Sequence, residues 1–165
     1  MPDPVRCLNV LLVEDNSADV DLTMVAFRDA LVPSRISVVT DGEEAIAFLK
    51  RTGSYTEAPA PDLVLLDLNL PKVNGFEVLE EMKADPRLKT IPVIVMSGSN
   101  REEDQARAYR LQAAAYLVKP PDQDKYFAAV RSVKDPGLSG GTGSAGAARG
   151  SWMRVYQLAQ SRRPV

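Results

Sequence analysis

Four consecutive apolar residues, Leu63-Val64-Leu65-Leu66, run straight into a carboxylate, Asp67, and this segment limits the possible folds most. A strand with one wet face alternates apolar and polar residues, whereas a short unbroken apolar run is a strand covered on both faces. The pattern recurs along the chain. Leu8 to Val13 stops at Glu14-Asp15, Ile36 to Val39 forms a second run, Ile91 to Met96 stops at Ser97, and Tyr116 to Val118 stops at Lys119-Pro120-Pro121. Between the runs, apolar residues return at helical spacing. Leu22, Val25, Ala26 and Ala30 follow a cap at Asn16 or Ser17, and Ala45, Ile46 and Leu49 mark the inner face of a helix from Glu43 to Lys50. Phe76, Val78, Leu79 and Met82 mark a third helix that Asp85-Pro86 ends. Asn100 with Glu102 and Glu103 opens a fourth, its acids favourably placed at the N-terminus, and Tyr126, Phe127, Val130 and Val133 line a fifth. Five strands alternating with five helices predict an α/β fold: a doubly wound, five-stranded parallel sheet in one of a few orders, the flavodoxin-like 2-1-3-4-5 among them.

Composition narrows the chemistry. The 165 residues include no histidine, which removes Ser-His and Cys-His catalysis and histidine-ligated zinc together. The one cysteine, Cys7, forms no internal disulfide, no apolar run approaches the ~20 residues of a membrane span, and the first residues lack a secretory signal, so a cytoplasmic protein is expected. Charge is uneven. Residues 1–135 carry 16 basic and 22 acidic side chains, while 136–165 carry four arginines and no acid. After Lys134 the composition turns to Gly, Ser and Ala, which divides the chain into a domain over 1–134 and a flexible linker with a basic tail over 135–165.

The polar residues that end the runs carry the chemistry. In a parallel sheet the strand carboxyl ends share one edge, so Glu14, Asp15, Asp67, Ser97 and Lys119 converge there. Each alone has a plain reading, as a turn acid, a loop hydroxyl or a loop lysine; four independent coincidences at one edge are a poorer account. Three carboxylates brought together repel, and a hard divalent cation such as Mg²⁺ relieves this while keeping waters that phosphate oxygens replace. Lys119 adds a mobile charge and Ser97 a hydroxyl donor. A carboxylate, a metal, a lysine and a hydroxyl make a phosphoryl-transfer site, with Asp67 as the natural nucleophile.

The motifs Val13-Glu14-Asp15-Asn16, Asp67-Leu68-Asn69-Leu70-Pro71-Lys72-Val73-Asn74-Gly75, Met96-Ser97-Gly98 and Tyr116-Leu117-Val118-Lys119-Pro120 together resemble the response-regulator receiver domains of two-component signalling, over Leu8 to Val133. The resemblance implies a phosphoacceptor signalling domain rather than an enzyme, with Asp67 phosphorylated by a histidine kinase. It also implies Mg²⁺ on Glu14, Asp15, Asp67 and the backbone carbonyl of Asn69, and Ser97 and Lys119 on the phosphoryl group. Ser97 and Tyr116 are then the switch pair, Pro71 and Gly75 are structural, and Lys119-Pro120 is a cis bond. Gly75 itself is read as serving either a positive φ or a close backbone approach. The long connection Arg51 to Pro61 is similar to that of single-domain regulators that serve phytochrome kinases, which implies such a kinase as partner and a homodimer through the helix 4–strand 5–helix 5 face.

Three other functions compete with this one. A Mg²⁺-dependent aspartyl-phosphate phosphatase places its nucleophile after the first strand with a second Asp two residues on; here the position is Asn69. A flavin-phosphate binder needs a hydroxyl-rich loop where Glu14-Asp15 stand. A receiver-like docking module that works without phosphorylation has no need of the whole set. The Gly-rich tail supplies no DNA-binding domain.

Overall fold

Every apolar run folds as a strand that stops at its polar residue. In chain order the elements are β1 (Leu8–Val13), α1 (Ser17–Asp29), β2 (Ser34–Val39), α2 (Gly42–Lys50), a 3-10 turn (Gly53–Tyr55), β3 (Leu63–Asp67), α3 (Gly75–Ala84), β4 (Val93–Ser97), α4 (Glu102–Arg110) and β5 (Ala115–Val118). This computed structural model describes residues 7–29 and 33–119, with Asp124, Lys125 and Ala128. The chain divides into two units, Met1–Lys119 and Pro120–Val165. All the named elements lie in the first. In the second, Asp124, Lys125 and Ala128 are helical, where the fifth helix is expected. The core residues expected for that helix, the Lys119-Pro120 peptide and the tail over 135–165 lie outside the described residues.

The sheet has the order β2-β1-β3-β4-β5, all neighbours parallel. β3 and β4 are buried along their whole length, as a strand flanked on both edges and covered on both faces must be. On one face Leu11, Val13, Val64, Leu66, Val93 and Val95 join Phe48 and Leu49 of α2, Val78, Leu79 and Met82 of α3, and Ala108 of α4 in a single apolar cluster.

Several expectations shift in detail. Leu22 is 59% exposed, and the buried residues of α1 are Thr23, Ala26 and Phe27. Asn16, not Ser17, caps this helix, accepting from the backbone N–H groups of Ala18 and Asp19. β4 begins at Val93 rather than Ile91, whose N–H is taken by the Leu88 carbonyl in a turn. Asn100 is not the cap of α4; Arg101 holds that position, and the Ser99 hydroxyl accepts its N–H. The long Arg51 to Pro61 connection folds back on α2, the Tyr55 ring lying 5.4 Å from that of Phe48 and its hydroxyl donating to Glu44.

Candidate functional site

Ladder hydrogen bonds carry the strand ends outward to the site. The Glu14 N–H donates to the Val39 carbonyl at 3.0 Å, which extends β1 by one residue, and the Lys119 N–H donates to the Ser97 carbonyl at 2.7 Å, which extends β5. Asp67 and Ser97 are the last residues of their strands. Glu14, Asp67 and Ser97 are buried, Asp15 and Asn69 are exposed, and Lys119 is half-buried.

Lys119 joins the group. Its ammonium donates to Glu14 Oε2 at 2.6 Å, Asp19 Oδ2 at 3.0 Å and Asp67 Oδ2 at 3.2 Å. The other Asp67 oxygen accepts the Asn69 N–H at 3.1 Å, which folds the chain back just past β3. Glu14 Oε1 accepts the Asn16 N–H. Three carboxylates thus surround one ammonium, and the imbalance appears in the acid–base properties. Burial pushes the Glu14 carboxyl up to about 7, the Lys119 hydrogen bond pulling it down and the Asp67 charge pushing it further up. For Lys119, burial acts to lower the pKa, but the hydrogen bonds to Glu14 and Asp19 and the charges of Asp67 and Glu14 outweigh it and hold the ammonium above its ordinary value.

Glu14, Asp15 and Asp67 each offer one oxygen, and the three oxygens lie within 4.8 Å of one another. This donor set fits a hard divalent cation: it is all oxygen, it is more negative than Lys119 alone offsets, and exposed Asp15 opens it to water.

Ser97 and Tyr116 meet through Ser99. The Ser97 hydroxyl accepts the Ser99 N–H at 3.1 Å, and the Tyr116 hydroxyl donates to the Ser99 carbonyl at 2.9 Å. The Tyr116 ring is half-buried against the apolar cluster, so its hydroxyl is not simply a solvated strand-edge group. The Ser99 hydroxyl in turn donates to Asp104 of α4 at 2.6 Å, tying the β4 loop to that helix.

The loop after Asp67 is held by close packing. A Cβ on Gly75 would strike the Asp67 carbonyl oxygen and come within 2.6 Å of the Leu68 Cα, so close approach, not a positive φ, requires glycine there. The Gly75 N–H donates to the Leu68 carbonyl, and Asn74 and Glu77 form a reciprocal capping box on α3. The Pro71 carbonyl accepts the Gly42 N–H at 3.5 Å, and Lys72, in a left-handed conformation with φ 66°, pairs with Asp41.

Sequence reasoning did not single out Asp19 or Ser99. Asp19 lies in the first turn of α1, where an acid is ordinarily read as a helix-dipole residue. Ser99 acts partly through its backbone carbonyl, which leaves no signature in residue type.

The family model described as "Response regulator receiver domain" matches residues 10–131. This chain belongs to that family. The response regulator Rcp1 of Synechocystis sp. is 40% identical over 125 residues, covering 76% of this chain and 85% of Rcp1. Among solved structures, the phosphorylated cyanobacterial phytochrome response regulator RcpA is 43% identical with a TM-score of 0.70, covering 83% of this receiver and 98% of RcpA. The Mn(2+)-bound form of Rcp1 is 38% identical with a TM-score of 0.69, covering 84% of this receiver and 99% of that chain. The fold and the receiver reading of the sequence are therefore borne out, and the phosphatase and flavin alternatives are not favoured. Among the described residues no helix is long and apolar enough to cross a membrane.

Proposed function

We propose that this receiver is the phosphoacceptor of a two-component phosphorelay, taking a phosphoryl group from a histidine kinase onto Asp67. The observation that carries the reading is the Lys119 ammonium, brought to the site from the end of β5 and bonded at once to Asp67 and Glu14.

In the transfer, one Asp67 carboxylate oxygen attacks phosphorus. The bond from phosphorus to the donor imidazole nitrogen breaks, and that nitrogen leaves with its electron pair and takes a proton from water. Lys119 stabilises negative charge on the phosphoryl oxygens and the Ser97 hydroxyl donates to another. Glu14, Asp15, Asp67 and the Asn69 carbonyl would hold Mg²⁺, which would neutralise charge on the carboxylates and the transferred group. The Asn69 N–H keeps the Asp67 carboxylate aimed, and Pro71 and Gly75 hold the loop that supports it.

Output runs through the Ser97–Ser99–Tyr116 connection. A phosphoryl group that draws the Ser97 hydroxyl toward it disturbs the Ser99 N–H bond, and with it the Tyr116 and Asp104 contacts that set α4. The similarity to RcpA, a cyanobacterial phytochrome response regulator, supports a phytochrome kinase as donor; a homodimer through α4, β5 and the following helix as the signalling form, and a cytoplasmic setting, are parts of the same proposal. Residues 135–165 then serve as linker and basic tail.

The test is intact-mass spectrometry after incubation with acetyl phosphate, with and without Mg²⁺. The expected result is one Mg²⁺-dependent phosphoryl adduct, absent from Asp67→Asn. A folded protein that takes no adduct is a docking module that works without phosphorylation, and the proposal fails.

A further inference from the structure

An ammonium has three N–H bonds, and Lys119 directs them at three carboxylates. Glu14 and Asp67 belong to the site read above. Asp19 has no part in that reading, yet its contact with Lys119, at 3.0 Å, is shorter than that of Asp67, at 3.2 Å.

Asp19 is firmly placed. Its backbone N–H is capped by Asn16, and its carbonyl accepts the Thr23 hydroxyl at 2.9 Å. Its side chain differs from the other two in access. It is 33% exposed, against 1% for Glu14 and 6% for Asp67. Water can therefore replace Lys119 at Asp19, whereas at Glu14 the loss leaves a buried carboxylate without its cation.

We propose that Asp19 is a positioning residue that competes with the phosphoryl group for Lys119, its charge setting how weakly the site takes a tetrahedral anion. The inference rests on the phosphoacceptor reading. A phosphoryl group on Asp67 approaches Lys119 from the side Asp67 now occupies, and Asp19 holds the same ammonium. Two anions sharing one cation repel, so each weakens the other's bond to Lys119. In the unphosphorylated protein Asp19 holds Lys119 at the mouth of the site; in the phosphorylated one it is the partner that yields. Asp19→Asn keeps an acceptor oxygen and the shape of the side chain and removes only the charge.

The experiment titrates the full chain with beryllofluoride, a tetrahedral phosphoryl mimic, in excess Mg²⁺ by isothermal calorimetry. Asp19→Asn is expected to lower the half-saturating concentration about three- to tenfold at low salt, with the gain shrinking toward onefold in 1 M salt as the charge is screened. Asp19→Glu, which keeps the charge, stays within twofold of wild type. So does Asp21→Asn, which removes an exposed α1 charge that is not among the three carboxylates bonded to Lys119. An Asp19→Asn protein that binds no more tightly than wild type overturns the inference, as does an equal gain in Asp21→Asn or Asp19→Glu. Wild type that binds no beryllofluoride overturns the phosphoacceptor reading itself, and the two failures are thereby separate.

Discussion

The middle of the sheet and its carboxyl edge are made from the same strands and contribute opposite things. Leu65 and Asp67 stand two residues apart on β3, on the same face of the sheet. Leu65 is fully buried between Leu12 of β1 and Ile94 of β4, each also fully buried, and offers nothing but apolar contact. Asp67 is nearly as buried, yet it faces Glu14, a second buried carboxylate, with a single lysine between them. Burying hydrocarbon stabilises, and burying like charges does not. The difference teaches that the fold is secured in the interior of the strands so that their last residues can be held in an arrangement that is costly by itself.

The largest expected effect breaks the first half of that comparison. Leu65→Ala removes a side chain from a site flanked on both edges, with little room to collapse, and should lower stability by about 2–5 kcal/mol. Urea unfolding followed by circular dichroism reads it. A loss below about 1 kcal/mol would mean that the strand middle is not where the fold is secured.

Two residues on, the sign should reverse. Asp67→Asn keeps only one acceptor oxygen for Lys119 and the Asn69 N–H but removes the repulsion with Glu14, so in EDTA it should be more stable than wild type by about 1 kcal/mol. Saturating Mg²⁺ should then stabilise wild type more than the variant and narrow or invert the gap, because ligand binding to the folded state adds stability in proportion to its affinity. Thermal unfolding of both proteins in EDTA and in Mg²⁺ makes the comparison. If the variant is the less stable one in EDTA, the Lys119 bonds outweigh the repulsion and the edge is not strained.

The same division decides what was legible in the sequence. The strand ends were readable because each apolar run stops abruptly at a polar residue, and a parallel sheet brings such stops together without any knowledge of side-chain geometry. Helix faces were less so. Leu22 fits the spacing of an inner residue but points outward, while Thr23 is buried because its hydroxyl is satisfied by the Asp19 carbonyl one turn back. A polar residue that satisfies itself locally is invisible to hydrophobic patterning. Asp19 was missed for the opposite reason, since its partner lies 100 residues away and only the assembled sheet brings the two together. Gly75 announced a backbone constraint, but whether that was a positive φ or a close approach depended on where α3 sits against the end of β3.

The smallest effect is a slope. Glu14 has an ordinary value of 4.5 and is raised to about 7 in the folded, metal-free protein, chiefly by burial. Between those values the folded state binds the Glu14 proton and the unfolded state does not. Stability therefore falls as pH rises through this window, and the destabilisation is complete above about 7, where the buried carboxylate is charged. One proton limits the slope to ~1.4 kcal/mol per pH unit. The measurement is the unfolding free energy of EDTA-treated wild type and Glu14→Gln from pH 5 to 8. The difference between the two curves isolates Glu14 from the other carboxylates, which titrate in both proteins. Wild type should lose ground against Glu14→Gln as pH rises. Asp67→Asn should narrow the window from its upper end and so move the loss to lower pH, because with the Asp67 charge gone the Glu14 value drops toward 4.5. Parallel curves for wild type and Glu14→Gln would mean that Lys119 neutralises Glu14 fully, and the carboxyl edge would then be no more strained than the strand middle it grows from.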